Sequence, residues 1–521
     1  MLVLELLVGA AIWFSTSPPA ASAQAPAPPA VTTTTATADK PVCPKSKPRP
    51  QKPLTDDLLP IAILIVVITV VVVRLPRVEL GHSRAFRHRR LLNWLPLGLT
   101  YSFLYFGRYN LKQFQGIGLT EAEYGTVFGI GSAVYGLSFL LNGPLTDRWG
   151  GRTTILIAAC GSGLANAIMG YMAMTQNYFG MSPVVAFAAA YAMNMYFQSF
   201  GAVSIVKVNA AWFHVRERGT FGGIFGILIS LGLYFAYDVG KRITEHMDIE
   251  WLFFIPAMIL AVFFVLSYVF VRNNPSDTGH PDFDLGDATK AEGTPLTVVQ
   301  VFVKLLTHPV ILVIAFIELC SGFLRQAILQ WGVDFGKGVG LGETFVFENW
   351  GMVSCIAGIT GGMFAGAISD HLFNSRRSPV SGVLYGLMLC GSIAIIPLFA
   401  APEAIGWVVA TMSMAIIGVH GMLTATASAD FAGKKNTGMA VGIIDGFVYI
   451  GSTAQSFLYG AMLPPSKIRD ANDCLISNPD AANIDNWTIW PLAMIPVALI
   501  GFVLTLRIWN AKPGGGGRSG H

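Results

Sequence analysis

LPLGLTYSFLYFGRYNL (95–111) is an apolar stretch interrupted by a single arginine, Arg108. VILVIAFIELCSGFLRQAIL (310–329), in the second half of the chain, carries Arg325 in the same way. A helix needs about 20 apolar residues to cross a bilayer, and each stretch is of that order. A charge near the bilayer centre costs roughly 2.5–3.5 kcal/mol on insertion scales, so such a residue turns toward a cavity or a partner. A matched pair of interior cations, one from each half, predicts a polytopic membrane protein that holds an anion.

Composition supports this reading. Of 521 residues 53% are hydrophobic and only 12% charged, against about 25% charged in a typical soluble domain. The net charge is only +4, which argues against nucleic-acid binding. The chain has no glycine-rich loop ending in GK[ST], no HExxH and no GxSxG, so neither an enzyme nor a cofactor is expected. The six cysteines lack metal-ligand spacing, and no metal site is expected. Cys160, Cys320, Cys355 and Cys390 fall in apolar spans and read as packing residues. Cys43 and Cys474 fall in polar segments expected outside the cytoplasm, and the sequence leaves open whether they pair.

Along the chain, residues 1–23 read as a signal peptide, with Ala21-Ser22-Ala23 at its end. The Ala/Pro/Thr-rich stretch 24–57 reads as a disordered linker outside the cell. An extra transmembrane helix is expected over 58–73, followed by a basic cytoplasmic loop, RLPRVELGHSRAFRHRR (74–90). Twelve further spans divide into a six-helix bundle over 91–271 and a second over 307–508. The polar stretch 272–306 would join them in the cytoplasm, and 509–521 would be a cytoplasmic tail. Alternation places DRWGGR (147–152), HVRERG (214–219), DHLFNSRR (370–377) and GKK (433–435) on the cytoplasmic side as well. The halves repeat: 217 residues separate Arg108 from Arg325, and 223 separate Asp147 from Asp370. Such a repeat is what transporters with a mid-membrane site between two bundles look like.

GPLTDRWGGR (143–152) closely resembles the G-x-L-x-D-R-x-G-x-R loop of the major facilitator superfamily, and GAISDHLFNSRR (366–377) is a degenerate second copy. Within that superfamily the chain resembles the organophosphate:phosphate antiporters, the glycerol-3-phosphate and hexose-phosphate carriers, over most of 90–510. The likeness is carried by TYSFLYFGRYN (100–110), VYGLSFLLNGPLTDR (134–148), WFHVRERGTF (212–221), FLRQAILQW (323–331) and GKKNTGMAVGIIDGFVYIG (433–451). The resemblance implies an all-α major facilitator fold, two six-helix bundles with one extra N-terminal helix. It also implies that Arg108 and Arg325 hold a substrate phosphate, helped by Tyr105 and Tyr101. Phe139 and Ile229 stand where family members carry a lysine and a histidine, which leaves the particular sugar phosphate undefined.

Guanidinium suits this role because it gives planar, bidentate hydrogen bonds and keeps its charge. Tyr101 lies two turns before Arg108 and shares its face, with Tyr105 about 60° away. Lys207, Glu318, Asp445 and Tyr449 complete the expected substrate-binding set. The bland reading of Glu318 and Asp445 is an ion pair with an arginine; the sharper one is proton coupling or contact with a substrate hydroxyl. His420 reads as a packing or hydrogen-bonding residue. Asp147, Arg148, Arg152, Asp370, Arg376 and Arg377 are the expected gating salt bridges at the cytoplasmic ends.

The resulting expectation is a monomeric inner-membrane transporter, its partners a small anionic substrate and the lipid bilayer. It would exchange an organic phosphate for inorganic phosphate by rocker-switch alternating access. The alternatives are a proton-coupled symporter of another organic anion and a non-transporting phosphate-ester sensor.

Overall fold

The computed structural model describes residues 58–74, 81–214, 217–283, 298–373, 377–423, 437–470 and 474–510. These form long helices, labelled here α1 (Leu58–Arg74), α2 (Arg84–Tyr109), α3 (Glu121–Trp149), α4 (Gly151–Thr175), α5 (Pro183–Trp212), α6 (Arg218–Tyr234) and α7 (Trp251–Phe270). The second half contributes α8 (Pro309–Gln326), α9 (Trp350–Leu372), α10 (Arg377–Ile395), α11 (Ile405–His420), α12 (Thr437–Met462) and α13 (Ile489–Arg507). A π turn extends α6 through Phe235–Val239 into Gly240–His246, and another extends α8 through Ala327–Trp331 into Gly332–Gly338.

α2 starts earlier than expected. The basic stretch read as a loop through residue 90 is helical from Arg84, because Ser83 accepts a hydrogen bond from Phe86 N and caps the helix. Arg90 then pairs with Glu217 at 2.9 Å and Arg89 donates to the Phe270 carbonyl at 2.8 Å, which fixes the turn to its neighbours. The inter-bundle stretch is also partly helical, over Val298–Thr307. The expected signal peptide and linker lie outside the described residues.

Successive long helices run in opposite directions, which defines two ends. The basic end carries Arg84–Arg90, Asp147–Arg152 and Lys207. The opposite end, here the hairpin end, carries residues 110–120 and a small antiparallel hairpin, β1 (Lys467–Arg469) with β2 (Leu475–Ser477). The two halves meet where α3 packs along α12 and α6 along α9. α1 packs against α9 through its Leu64–Val71 stripe and leaves Ile65, Val66 and Val70 exposed, the apolar surface a lipid-facing helix needs.

Glycine sets the closest of these approaches. A side chain at Gly322 of α8 would overlap the Val448 carbonyl of α12, and one at Gly451 of α12 would overlap the Leu319 carbonyl of α8. The two glycines let these backbones touch, the small-residue packing that membrane helices use. Gly322→Ala should therefore force α8 and α12 apart at a cost of about 1–3 kcal/mol. The check is a lower unfolding midpoint in detergent; an unchanged midpoint would show that the contact is not tight.

Candidate functional site

Arg108 is fully buried near the end of α2. Its Nε donates to Gln198 Oε1 of α5 at 2.8 Å, and Nη1 donates to the Tyr449 hydroxyl of α12 at 2.6 Å. The guanidinium lies over the rings of Tyr105 (4.5 Å) and Tyr135 (4.3 Å), contacts worth about 0.5–2 kcal/mol each. Nη2 is buried with no partner. Gln198 is held in orientation because its amide nitrogen donates to Asn194 Oδ1 (3.0 Å) and Ser162 Oγ (3.2 Å), leaving its oxygen for the arginine. Asn194 in turn donates to the Gly107 carbonyl at 2.8 Å. A polar layer inside the first half therefore positions Arg108.

Arg325 on α8 is also buried, and it faces the same tyrosine. The Tyr449 ring lies 5.9 Å from the Arg108 guanidinium and 5.8 Å from that of Arg325. Nε and Nη2 of Arg325 are buried without partners. Together they form the edge that meets an oxyanion with two parallel N–H bonds. Neither arginine has a carboxylate within 4.0 Å among the described residues. Two buried cations held only by neutral groups and π faces are costly, and an anion between them would remove that cost.

The structure brings Tyr105, Tyr449 and the two arginines together, and it separates the other expected ligands. Tyr105 rather than Tyr101 stacks on Arg108, because residues three apart on a helix touch while two turns put Tyr101 about 10 Å down the axis. Tyr101 packs instead on the Tyr105 ring, at 5.3 Å. Lys207 is corrected outright. It lies on α5 nine residues beyond Gln198, at the basic end, and pairs with Asp147 at 2.6 Å with both side chains substantially exposed. Glu318 is two turns from Arg325 and bonds to neither arginine. Its partner is His420 of α11, with Nδ1 3.1 Å from Oε2. Asp445 sits half-buried one turn from Tyr449 on α12.

At the basic end, Asp147 bonds within its own half. Arg148 is exposed, and Arg152 donates to the Tyr268 carbonyl at 2.8 Å. Arg376 and the side chains of Asp370 and Arg377 lie outside what is described. Among the described residues no ion pair joins the two halves at that end.

The hairpin end is closed by contacts that sequence reading missed. Lys112, just past α2, pairs with Asp334 on the α8 extension at 2.5 Å, and the side chains are only 1% and 4% exposed. Gln115 donates to the other Asp334 oxygen at 2.9 Å, and the Lys112 ammonium sits 4.6 Å from the Tyr124 ring. Asp238, in the α6 π turn, accepts from Gly351 N and Met352 N at 2.8 Å each, capping α9 across the seam. Arg469 of the hairpin bonds Glu123 at 3.1 Å, and Ser466 bonds Glu121. Cys474 beside the hairpin is disulfide-bonded while Cys160, Cys320, Cys355 and Cys390 are free; Cys43 lies outside the described residues. Gln198 and Asp334 share a signal that could have flagged them, a strongly polar side chain within a mainly apolar helix.

Residues 97–455 match the sequence profile of the Major Facilitator Superfamily. The chain is 27% identical over 403 residues to the glycerol-3-phosphate transporter of Bacillus subtilis (strain 168), covering 71% of this chain and 85% of that one. It is 25% identical over 396 residues to the membrane sensor protein UhpC of Escherichia coli (strain K12), covering 71% and 84%. Among solved structures it superposes on a bacterial homologue of the human lysosomal transporter Spinster, in an inward-facing, unoccupied conformation. That match has a TM-score of 0.62 at 12% identity, covers 84% of this chain and 100% of the other, and speaks to the fold alone. All three are membrane transporters or sensors rather than enzymes.

Proposed function

The chain belongs to the major facilitator superfamily, and from that premise we propose that it carries an organic phosphate across the membrane, exchanging it for inorganic phosphate. One observation carries the reading: Arg108 and Arg325, one from each half, are buried against the same Tyr449 with three guanidinium nitrogens unpartnered and, among the described residues, no carboxylate beside them. Arg325 would grip the phosphoryl oxygens with its free edge, and Arg108 would add its remaining Nη2. Similarity to a glycerol-3-phosphate transporter supports the substrate class.

The basic end would face the cytoplasm, following the positive-inside rule. With the hairpin end shut, the state described is then the inward-directed one. Bound anion would screen the two cations as the halves close around them, whereas an empty site would close two positive surfaces on each other. That asymmetry gives exchange rather than net leak. The second reading, a ligand-binding sensor, is favoured by the similarity to UhpC.

The expected result in proteoliposomes is uptake of labelled inorganic phosphate into vesicles preloaded with phosphate, and none into empty vesicles. Uptake in both would remove obligate exchange. Phosphate binding without flux in either would identify the sensor, and folded protein with neither binding nor flux would overturn the anion site.

A further inference from the structure

We propose that Glu318 and His420 form a proton-binding site in the second half, linked to the anion held beside Arg325; the inference rests on the anion-site reading above. The Glu318 side chain is completely buried, Oε2 lies 3.1 Å from His420 Nδ1, and Oε1 has no partner. The His420 side chain is 24% exposed. Among the described residues, the sealed carboxylate meets partly exposed space through this imidazole, and imidazole is the side chain suited to passing a proton near neutral pH.

Among the described residues, the neighbourhood supplies little else to balance Glu318. On α8 itself Cys320 lies two residues on, and Arg325 two turns away toward the hairpin end. From α10 the Tyr385 hydroxyl donates to the carbonyl of Ile317, next to the glutamate. α12 contributes Asp445, another acid, and α13 carries no ionisable side chain before Arg507, exposed at its end. α9, which packs on α11, carries Cys355 and, at its basic end, Asp370 and His371, whose side chains are not described. With one proton the pair is neutral overall. A second proton makes it cationic.

The linkage has a definite sign. An added proton makes the second half more positive about 10 Å from Arg325 along α8, which tightens the hold on an anion there. By reciprocity, anion binding draws a proton onto the pair. A coupling of about tenfold in affinity is the usual size for sites this far apart. Since Glu318 and Arg325 share one helix, the proton and the anion would travel with the same moving half.

The test is binding of inorganic phosphate to the detergent-solubilised full chain between pH 5.5 and 8.5, with His420→Gln and Glu318→Gln compared against the parent. Phosphate's own ionisation is common to all three and cancels in the comparison. The parent should gain about tenfold more affinity than the variants as pH falls, and should take up protons from weak buffer on phosphate addition. His420→Gln sits at a partly exposed position, so it serves if Glu318→Gln does not fold. If its pH profile and proton uptake match the parent's, the proton site is wrong while the anion site stands. A parent that binds no phosphate at any pH would instead overturn the anion site.

Discussion

Replacing Arg325 by lysine should reduce phosphate exchange about a hundredfold, a loss of about 3 kcal/mol, while the protein still folds. The argument turns on which guanidinium atoms are idle. Nε and Nη2 are buried and unpartnered, and together they form a two-pronged edge for an oxyanion. Lysine keeps the charge but presents it as a single point on a flexible stem. Charged hydrogen bonds contribute about 1.5–3 kcal/mol each, so losing one prong and misplacing the other accounts for the size of the effect. Arg108 should behave differently. It already bonds Gln198 and, across the seam, Tyr449, so Arg108→Lys should lower the unfolding midpoint as well as the transport rate. Exchange at the parental rate in Arg325→Lys would mean that only the positive field matters and that no bidentate grip exists.

The arginines were legible in the sequence because a charge inside an apolar span has few structural explanations. The helices were legible for a similar reason, since long apolar runs broken by polar loops admit few other folds in a bilayer. What failed was pairing. Lys207 looked like an interior cation, yet its span ends near the basic loops and its partner, Asp147, lies on another helix. Glu318 was placed correctly in the interior, but its partner His420 is 102 residues away and no periodicity links them. Helical angle put both Tyr101 and Tyr105 near the face of Arg108, but only axial rise distinguishes the tyrosine that stacks on it, Tyr105, from the one a further turn away. Residue spacing within one helix reports a face; it does not report which neighbour meets that face.

Removing the Lys112 ammonium should open the hairpin end. Lys112→Met leaves Asp334 buried and, apart from Gln115, unpaired, which for a buried ion pair costs about 3–5 kcal/mol. Alternate states of such proteins lie within a few kcal/mol of each other, so the closed hairpin end should become the minor population. Spin labels at Ile117 and Phe345, both exposed at that end and on opposite halves, would report this as a longer distance, once the exposed Cys160 and Cys390 are replaced by serine. The double variant Lys112→Met, Asp334→Leu separates two accounts of the pair. An apolar pair of similar volume can hold a buried seam as well as an ion pair does, so the end should close again. It should also stay closed, because on opening two apolar side chains would meet water where the native pair would be solvated. Distances should return to the short population while exchange remains slow. If the double variant instead exchanged at the parental rate, the ion pair would be only a packing element of the seam. Slow exchange from a closed end would show that the charges are retained because they let the seam reopen.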